Sequence, residues 1–175
     1  MIDFTADHFS LLGLPRRYRI DADALDAAYR KLQAAIHPDR HAAADDTSRR
    51  LALQASARVN EAYTTLKDPA ARGEYLLGLQ GVVSLSETDT EMPMDFLAEQ
   101  MERREEIEDA TARSDHAALE RALADIAGES RALEDEIATA LDGHALELAR
   151  VAVRKLRFID RIRDEITDAL IEAEA

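Results

Sequence analysis

The sequence predicts an all-α protein in two parts: an N-terminal antiparallel helical hairpin with short flanking helices, and a C-terminal three-helix bundle. Two patterns carry this expectation. Apolar residues recur at three- and four-residue steps along most of the chain, and no run alternates with the period of a strand. Charge divides the chain unevenly. Residues 1–81 hold 11 Lys+Arg and 11 Asp+Glu, residues 82–175 hold 11 and 25, so the whole net charge of −14 lies in the second part. Such asymmetry indicates two domains with different partners.

Taken in order, His8–Leu12 reads as a short apolar helix closed by Gly13-Leu14-Pro15. Asp21 is a natural N-cap for a helix running to Ile36, with Leu25, Ala28, Tyr29, Leu32 and Ile36 on its apolar face. His37-Pro38-Asp39 stops it, because Pro38 lacks an N–H and drives His37 from the helical region. His41–Thr47 is a polar loop. Asp46 or Thr47 then opens a long helix whose expected face is Leu51, Gln54/Ala55, Val59, Ala62/Tyr63 and Leu66. Asp68-Pro69 ends it and starts another helix, which carries Tyr75, Leu76 and Leu79 and stops at Gly81. Val82–Met92, with Ser and Thr interleaved among acids, reads as a linker. Domains are thus expected at 1–81 and 93–175.

Three amphipathic helices follow: Pro93–Arg113, a second through Leu119, Leu123, Ile126, Leu133, Ile137 and Leu141, and a third through Leu148, Val151, Ala152, Leu156, Ile159, Ile162, Ile166 and Leu170. Joined by short turns, they can bury their stripes only against one another. Gly128 falls inside the second helix and Gly143 separates it from the third.

Composition excludes several classes. With no cysteine there are no disulfides, thiolate metal sites or cysteine nucleophiles. The acidic balance argues against nucleic acid as a partner. MIDFTADHFS has neither a basic start nor a long apolar run, so no signal peptide is expected. No stretch is apolar enough to span a membrane, and a cytoplasmic location is the expectation.

The stretch YRKLQAAIHPDR, residues 29–40, is the most informative in the chain. It places an exposed His-Pro-Asp turn at the end of a helix, with Arg30 and Lys31 off the apolar stripe. With ADHFSLLGLP before it and RVNEAYTTLKDPAARGEYL after it, the arrangement resembles the J-domain family, co-chaperones that stimulate the ATPase of DnaK-type chaperones. The resemblance covers about residues 1–80 and implies chaperone contacts at Tyr29, Arg30, Lys31, Gln33, His37, Pro38, Asp39 and Arg40. Ile36 and His41 stand where aromatics are common in that family.

DFLAEQMERREEIED, followed some forty-five residues later by VRKLRFIDRI, with RGEYLLGLQG closing the first domain, resembles the HscB family of iron–sulfur cluster assembly co-chaperones. That resemblance extends over almost the entire chain. It implies two partners: a specialised HscA-type chaperone for the J-domain, and an IscU-type scaffold protein for the bundle. The scaffold contacts carry over to Leu97, Ala98, Met101, Glu102, Glu105, Asp109 and Phe158. Ala98 replaces a larger apolar residue and Asp109 replaces Glu. The residues alone leave another reading open, with the acidic stripe as a solvated face and Met101 and Phe158 as core. A J-domain co-chaperone serving a different client is the alternative function. Neither a cofactor nor a metal site is expected, since His8, His37, His41, His116 and His144 lack ligand-like spacing. An enzyme is not expected either, because the exposed His37–Asp39 turn has no nucleophile beside it and excludes no water.

Overall fold

The computed structural model describes residues 3–36, 46–83 and 92–174. Seven helices follow in order: α1 His8–Leu11, α2 Ala22–Ile36, α3 Asp46–Lys67, α4 Pro69–Leu79, α5 Met94–Ala112, α6 His116–Asp142 and α7 Leu146–Glu174. Among the described residues every regular element is helical. The chain divides into two compact units, Met1–Leu76 and Leu77–Ala175, the division falling within α4. The 41–47 loop lies outside the described residues except at its end, as does most of the 82–92 linker.

Aspartates cap the starts of α1, α2, α4 and α6. Asp7 accepts hydrogen bonds from the Phe9 and Ser10 amides, Asp21 from Asp23 and Ala24, Asp68 from Ala71, and Asp115 from Ala118. Each satisfies N–H groups that have no partner inside the helix. Four helices end alike, with one left-handed residue followed by an amide reaching five residues back. Gly13 and Gly81 hold positive φ at two of these ends, followed by Leu14 N–H to Phe9 O at 2.8 Å and Val82 N–H to Leu77 O at 3.0 Å. In the bundle the left-handed residues are Ser114 (φ 51°) and His144 (φ 54°), followed by Asp115 N–H to Ala110 O and Ala145 N–H to Ala140 O. Gly143 sits one residue too early to take that role and has φ −85°.

In the first unit a polar ladder sets the hairpin register. Tyr63 Oη donates to Asp26 at 2.8 Å, Tyr29 Oη to Asn60 at 3.0 Å, and Ser56 Oγ to Gln33 at 3.4 Å. Numbers rise on α2 as they fall on α3, so the two are antiparallel. The buried face of α3 is Ala52, Ala55, Val59, Ala62 and Leu66. This corrects the expected stripe: Leu51 is 50% exposed, and Gln54 is exposed beside it. Alanines take the inward positions, and periodicity weighted by side-chain size shifts the stripe by one residue.

The second unit is the three-helix bundle. Its core includes Leu119, Ile126, Leu133 and Ile137 from α6 with Ala149, Val153, Leu156, Ile159, Ile162 and Ile166 from α7. Leu148 is exposed, so the α7 stripe begins at Ala149 instead. α6 runs unbroken through Gly128. α5 packs more sparsely, burying Phe96, Gln100, Ile107 and Ala110.

Candidate functional site

Two surfaces correspond to the expected sites, one in each unit. On α2, Arg30 and Lys31 are exposed, whereas Tyr29 and Gln33 are half-buried and turned into the hairpin. The Tyr29 ring stacks on Tyr63 with centroids 4.0 Å apart. Gln33 donates from Nε2 to Asn60. These two side chains therefore set the helix pair that presents Arg30 and Lys31. His37, Pro38, Asp39 and Arg40 lie outside the described residues, as does His41.

The short α1 is held against the same unit by a buried histidine. The His8 ring stacks on Tyr75 at 4.1 Å, and its backbone N–H donates to Tyr75 Oη at 3.0 Å. His8 is 3% exposed and its Nδ1 has no hydrogen-bond partner. Burial, then the Arg58 guanidinium, hold the imidazole below its ordinary pKa against the pull of Glu61 and Asp7. Burial also pushes the Asp7 carboxyl up, but hydrogen bonds from Ser10 and Arg16 outweigh it and bring the pKa to about 2.

The second surface is built on α5 and α7. Short turns at 113–115 and 143–145 reverse the chain twice, so α5 and α7 run parallel, with Phe96 beside Phe158 and Arg104 beside Glu165. Phe96 and Phe158 meet edge to face, with centroids 5.8 Å apart. Arg104 lies over the Phe158 ring at 6.0 Å and pairs with Glu165 in bidentate fashion, Nε and Nη2 each donating to one carboxylate oxygen. Phe158 is half-buried, pinned by α5 on one side and open on the other. Leu97 is also half-buried; Ala98 and Met101 are exposed, Met101 at 65%. Glu102, Glu105 and Asp109 are exposed along the same face and carry no ion pair among the described residues. Leu97, Ala98, Met101, Glu102, Glu105 and Asp109 thus lie along the outer side of α5, and Phe158 lies on α7 against Phe96 and Arg104.

Three residues outside the expected set fix which way α5 faces. Gln100 is buried, accepts from Arg103 at 2.6 Å and donates to Glu129 at 3.4 Å, while Arg103 pairs with Glu129 at 2.7 Å. This cluster ties the inner side of α5 to α6. Arg103 is engaged inward and Arg104 is drawn sideways to Glu165, half-exposed over the Phe158 ring, which leaves the remaining outer side of α5 acidic. Gln100 carries a sequence signal, since it falls four residues from Phe96 and seven from Ile107 on the buried side. Glu129 carries none, because its partner lies on another helix.

Beside this lies a groove of about 330 Å³ between the end of α5 and the start of α6, floored by Ile107, Ala110 and Leu119 and edged by Arg113, Arg121 and Asp125. Among the described residues no group of His, Asp and Glu is placed to hold a metal ion, and no helix is long and apolar enough to cross a membrane.

Comparison with known proteins assigns both units. Residues 7–75 match the DnaJ domain, and residues 92–167 match the HSCB C-terminal oligomerisation domain. The chain is 46% identical over 166 residues to the co-chaperone protein HscB homolog of Burkholderia multivorans, covering 95% of both chains. It is 47% identical over 164 residues to that of Ralstonia nicotianae, covering 93% of each. Among solved structures, chaperone HscB from Vibrio cholerae superposes with a TM-score of 0.86 at 37% identity, over 96% of this chain and 99% of that one. Human co-chaperone protein HscB gives 0.87 at 32% identity, over 94% and 82%. With a DnaJ domain and an HSCB C-terminal domain on one chain, and near-half identity along almost its full length, the protein belongs to the HscB family of J-domain co-chaperones.

Proposed function

We propose that this co-chaperone stimulates the ATPase of an HscA-type, DnaK-like chaperone and delivers to it an IscU-type scaffold on which iron–sulfur clusters are assembled. In this reading residues 1–81 form the J-domain, 82–92 link it to the bundle, and 93–175 bind the scaffold. Arg30, Lys31 and the His37-Pro38-Asp39-Arg40 tip meet the chaperone. Leu97, Ala98, Met101, Glu102, Glu105, Asp109 and Phe158 meet the scaffold. The protein acts in the cytoplasm and performs no catalysis itself.

The observation that supports this most is the strip on α5. Free carboxylates edge an exposed apolar surface that the bundle does not need for its core. Such a strip fits a partner whose apolar residues are ringed by Lys or Arg. A J-domain can accelerate hydrolysis only by binding one conformational state of the chaperone better than another.

The test is ATP turnover by the HscA-type chaperone with and without this protein and the scaffold. Wild type should stimulate, more so with scaffold present. His37→Gln should abolish stimulation with little change in melting temperature, because the sequence places Pro38 beside it to stop the helix and a residue in such a turn supports little packing. Stimulation by His37→Gln equal to wild type would overturn the chaperone assignment. Absence of scaffold from a pull-down, with another protein captured in its place, would transfer the bundle to a different client.

A further inference from the structure

We propose that Met94 is a further contact residue of the scaffold-binding face, extending its apolar strip one turn beyond the gap left by Ala98. The proposal rests on the reading of α5 as the scaffold-binding helix.

Met94 opens α5 and is 79% exposed, more than any other large apolar residue described. Steps of four, three and four lead from Met94 to Ala98, Met101 and Glu105. On a helix those steps keep all four side chains on one face. Met94 therefore continues the strip by one turn toward the helix start, where Pro93 is the N-cap.

The small size of Ala98 gives this position its meaning. Helical side chains lean toward the N-terminus, so a residue covers surface over the turn before its own Cα. A long apolar side chain at 98 would lie back over the turn that bears Met94. Alanine leaves that turn uncovered, and Met94 stands out from it. Met101, leaning the same way, covers the turn bearing Ala98. The strip thus offers two flexible thioethers either side of a notch, in place of a continuous apolar ridge. Methionine is suited to this, since its unbranched side chain adapts to an irregular apolar surface. Neither Met94 nor Met101 is part of the bundle core. The occupant is the same scaffold surface that meets Met101, because the two methionines share one face and the acids edging it call for the same basic-rimmed apolar patch.

Calorimetric titration of the full chain with the organism's own IscU-type scaffold tests this, using Met94→Ala, Ala98→Met, their combination, Met101→Ala and Glu105→Lys. Met94→Ala should weaken binding about fivefold to tenfold while leaving the melting temperature unchanged. In that background Ala98→Met should restore most of the loss, and its gain there should exceed its gain in wild type. Such non-additivity is expected of side chains in contact, as one at 98 leaning over the turn of residue 94 would be. Wild-type affinity in Met94→Ala, with Glu105→Lys impaired, would overturn the role of Met94 and leave the scaffold face in place. Wild-type affinity in Met94→Ala, Glu105→Lys and Met101→Ala together would remove the scaffold reading of α5 and this proposal with it.

Discussion

Truncating Phe158 and Met101 should separate two roles that the α5–α7 surface combines. A fully buried Phe→Ala change costs about 3–5 kcal/mol of stability. Phe158 is only half-buried, which reduces the burial and cavity part to about 1–2 kcal/mol. Its edge-to-face pairing with Phe96 adds about 0.5–1.5 kcal/mol. The Arg104 guanidinium over the ring contributes little more at an exposed site. Phe158→Ala should therefore destabilise the bundle by about 1.5–3.5 kcal/mol. Met101 is 65% exposed, and its truncation should cost less than about 0.5 kcal/mol.

Binding should follow a different order. Truncation of either side chain removes apolar contact area from the candidate binding face, and hot-spot truncations typically cost about 1–4 kcal/mol of binding. Thermal melts and calorimetric titration with the scaffold on the same protein samples read both effects. At about 4–8 °C per kcal/mol for a unit of this size, Phe158→Ala should lower the melting temperature by roughly 6–28 °C and Met101→Ala by at most a few degrees. Both should bind more weakly. A melting-temperature loss for Met101→Ala matching that of Phe158→Ala would show that Met101 is core. Wild-type affinity in both folded variants would remove the strip as a binding surface.

Three further outcomes are expected. Lys31→Glu should impair only ATPase stimulation and Glu105→Lys only scaffold binding, with both wild-type associations slowing as salt rises, since exposed charges are screened over about 8 Å at physiological ionic strength; damage to both by either reversal would mean that the surfaces are not separate. His8 is buried with its imidazole pKa lowered, so the unfolded chain takes up its proton first as pH falls below about 6.5. J-domain stability is then fully present above that pH and declines below it, and His8→Phe, keeping the stack on Tyr75, should flatten melting temperature against pH between 7.5 and 5; an unchanged slope would rule His8 out. Ser114→Gly should stabilise the bundle by about 0.5–1 kcal/mol, because a side chain at positive φ is strained where glycine is not, and a denaturant midpoint that fails to rise would show the turn to be unstrained.

The helices were legible because their signals are local. Asp21, Asp68-Pro69, Gly13 and Gly81 each act within one turn, and the structure uses them where the residue types suggest. Face assignment was less secure where the inward residues are small. Leu51 and Leu148 look like core by size, but Ala52 and Ala149 occupy the buried positions. The bundle turns were partly hidden, since Gly143 marks the break while His144 takes the left-handed conformation. Whether Phe158 was core or surface could not be read at all. That depends on Phe96 and Arg104, which approach it from a helix more than fifty residues away.

The way α5 is attached explains how a stable bundle can carry an exposed apolar strip. α6 and α7 bury long aliphatic stripes, so the bundle does not depend on every apolar residue of α5. α5 adds Phe96, Ile107 and Ala110 to that core and is oriented by polar ties, Gln100 and Arg103 to Glu129 and Arg104 to Glu165. Polar ties are directional, whereas apolar packing tolerates rotation. A helix held mainly by apolar burial would lower its energy by turning Leu97 and Met101 inward. Gln100, already buried and hydrogen-bonded at both ends of its amide, resists that rotation, because turning it outward would leave Arg103 and Glu129 without its bonds. The same ties hold both arginines of α5 away from Glu102, Glu105 and Asp109, so the strip keeps its negative edge as well as its apolar centre. Orientation and charge of the candidate binding face thus arise from side chains that need not touch the partner.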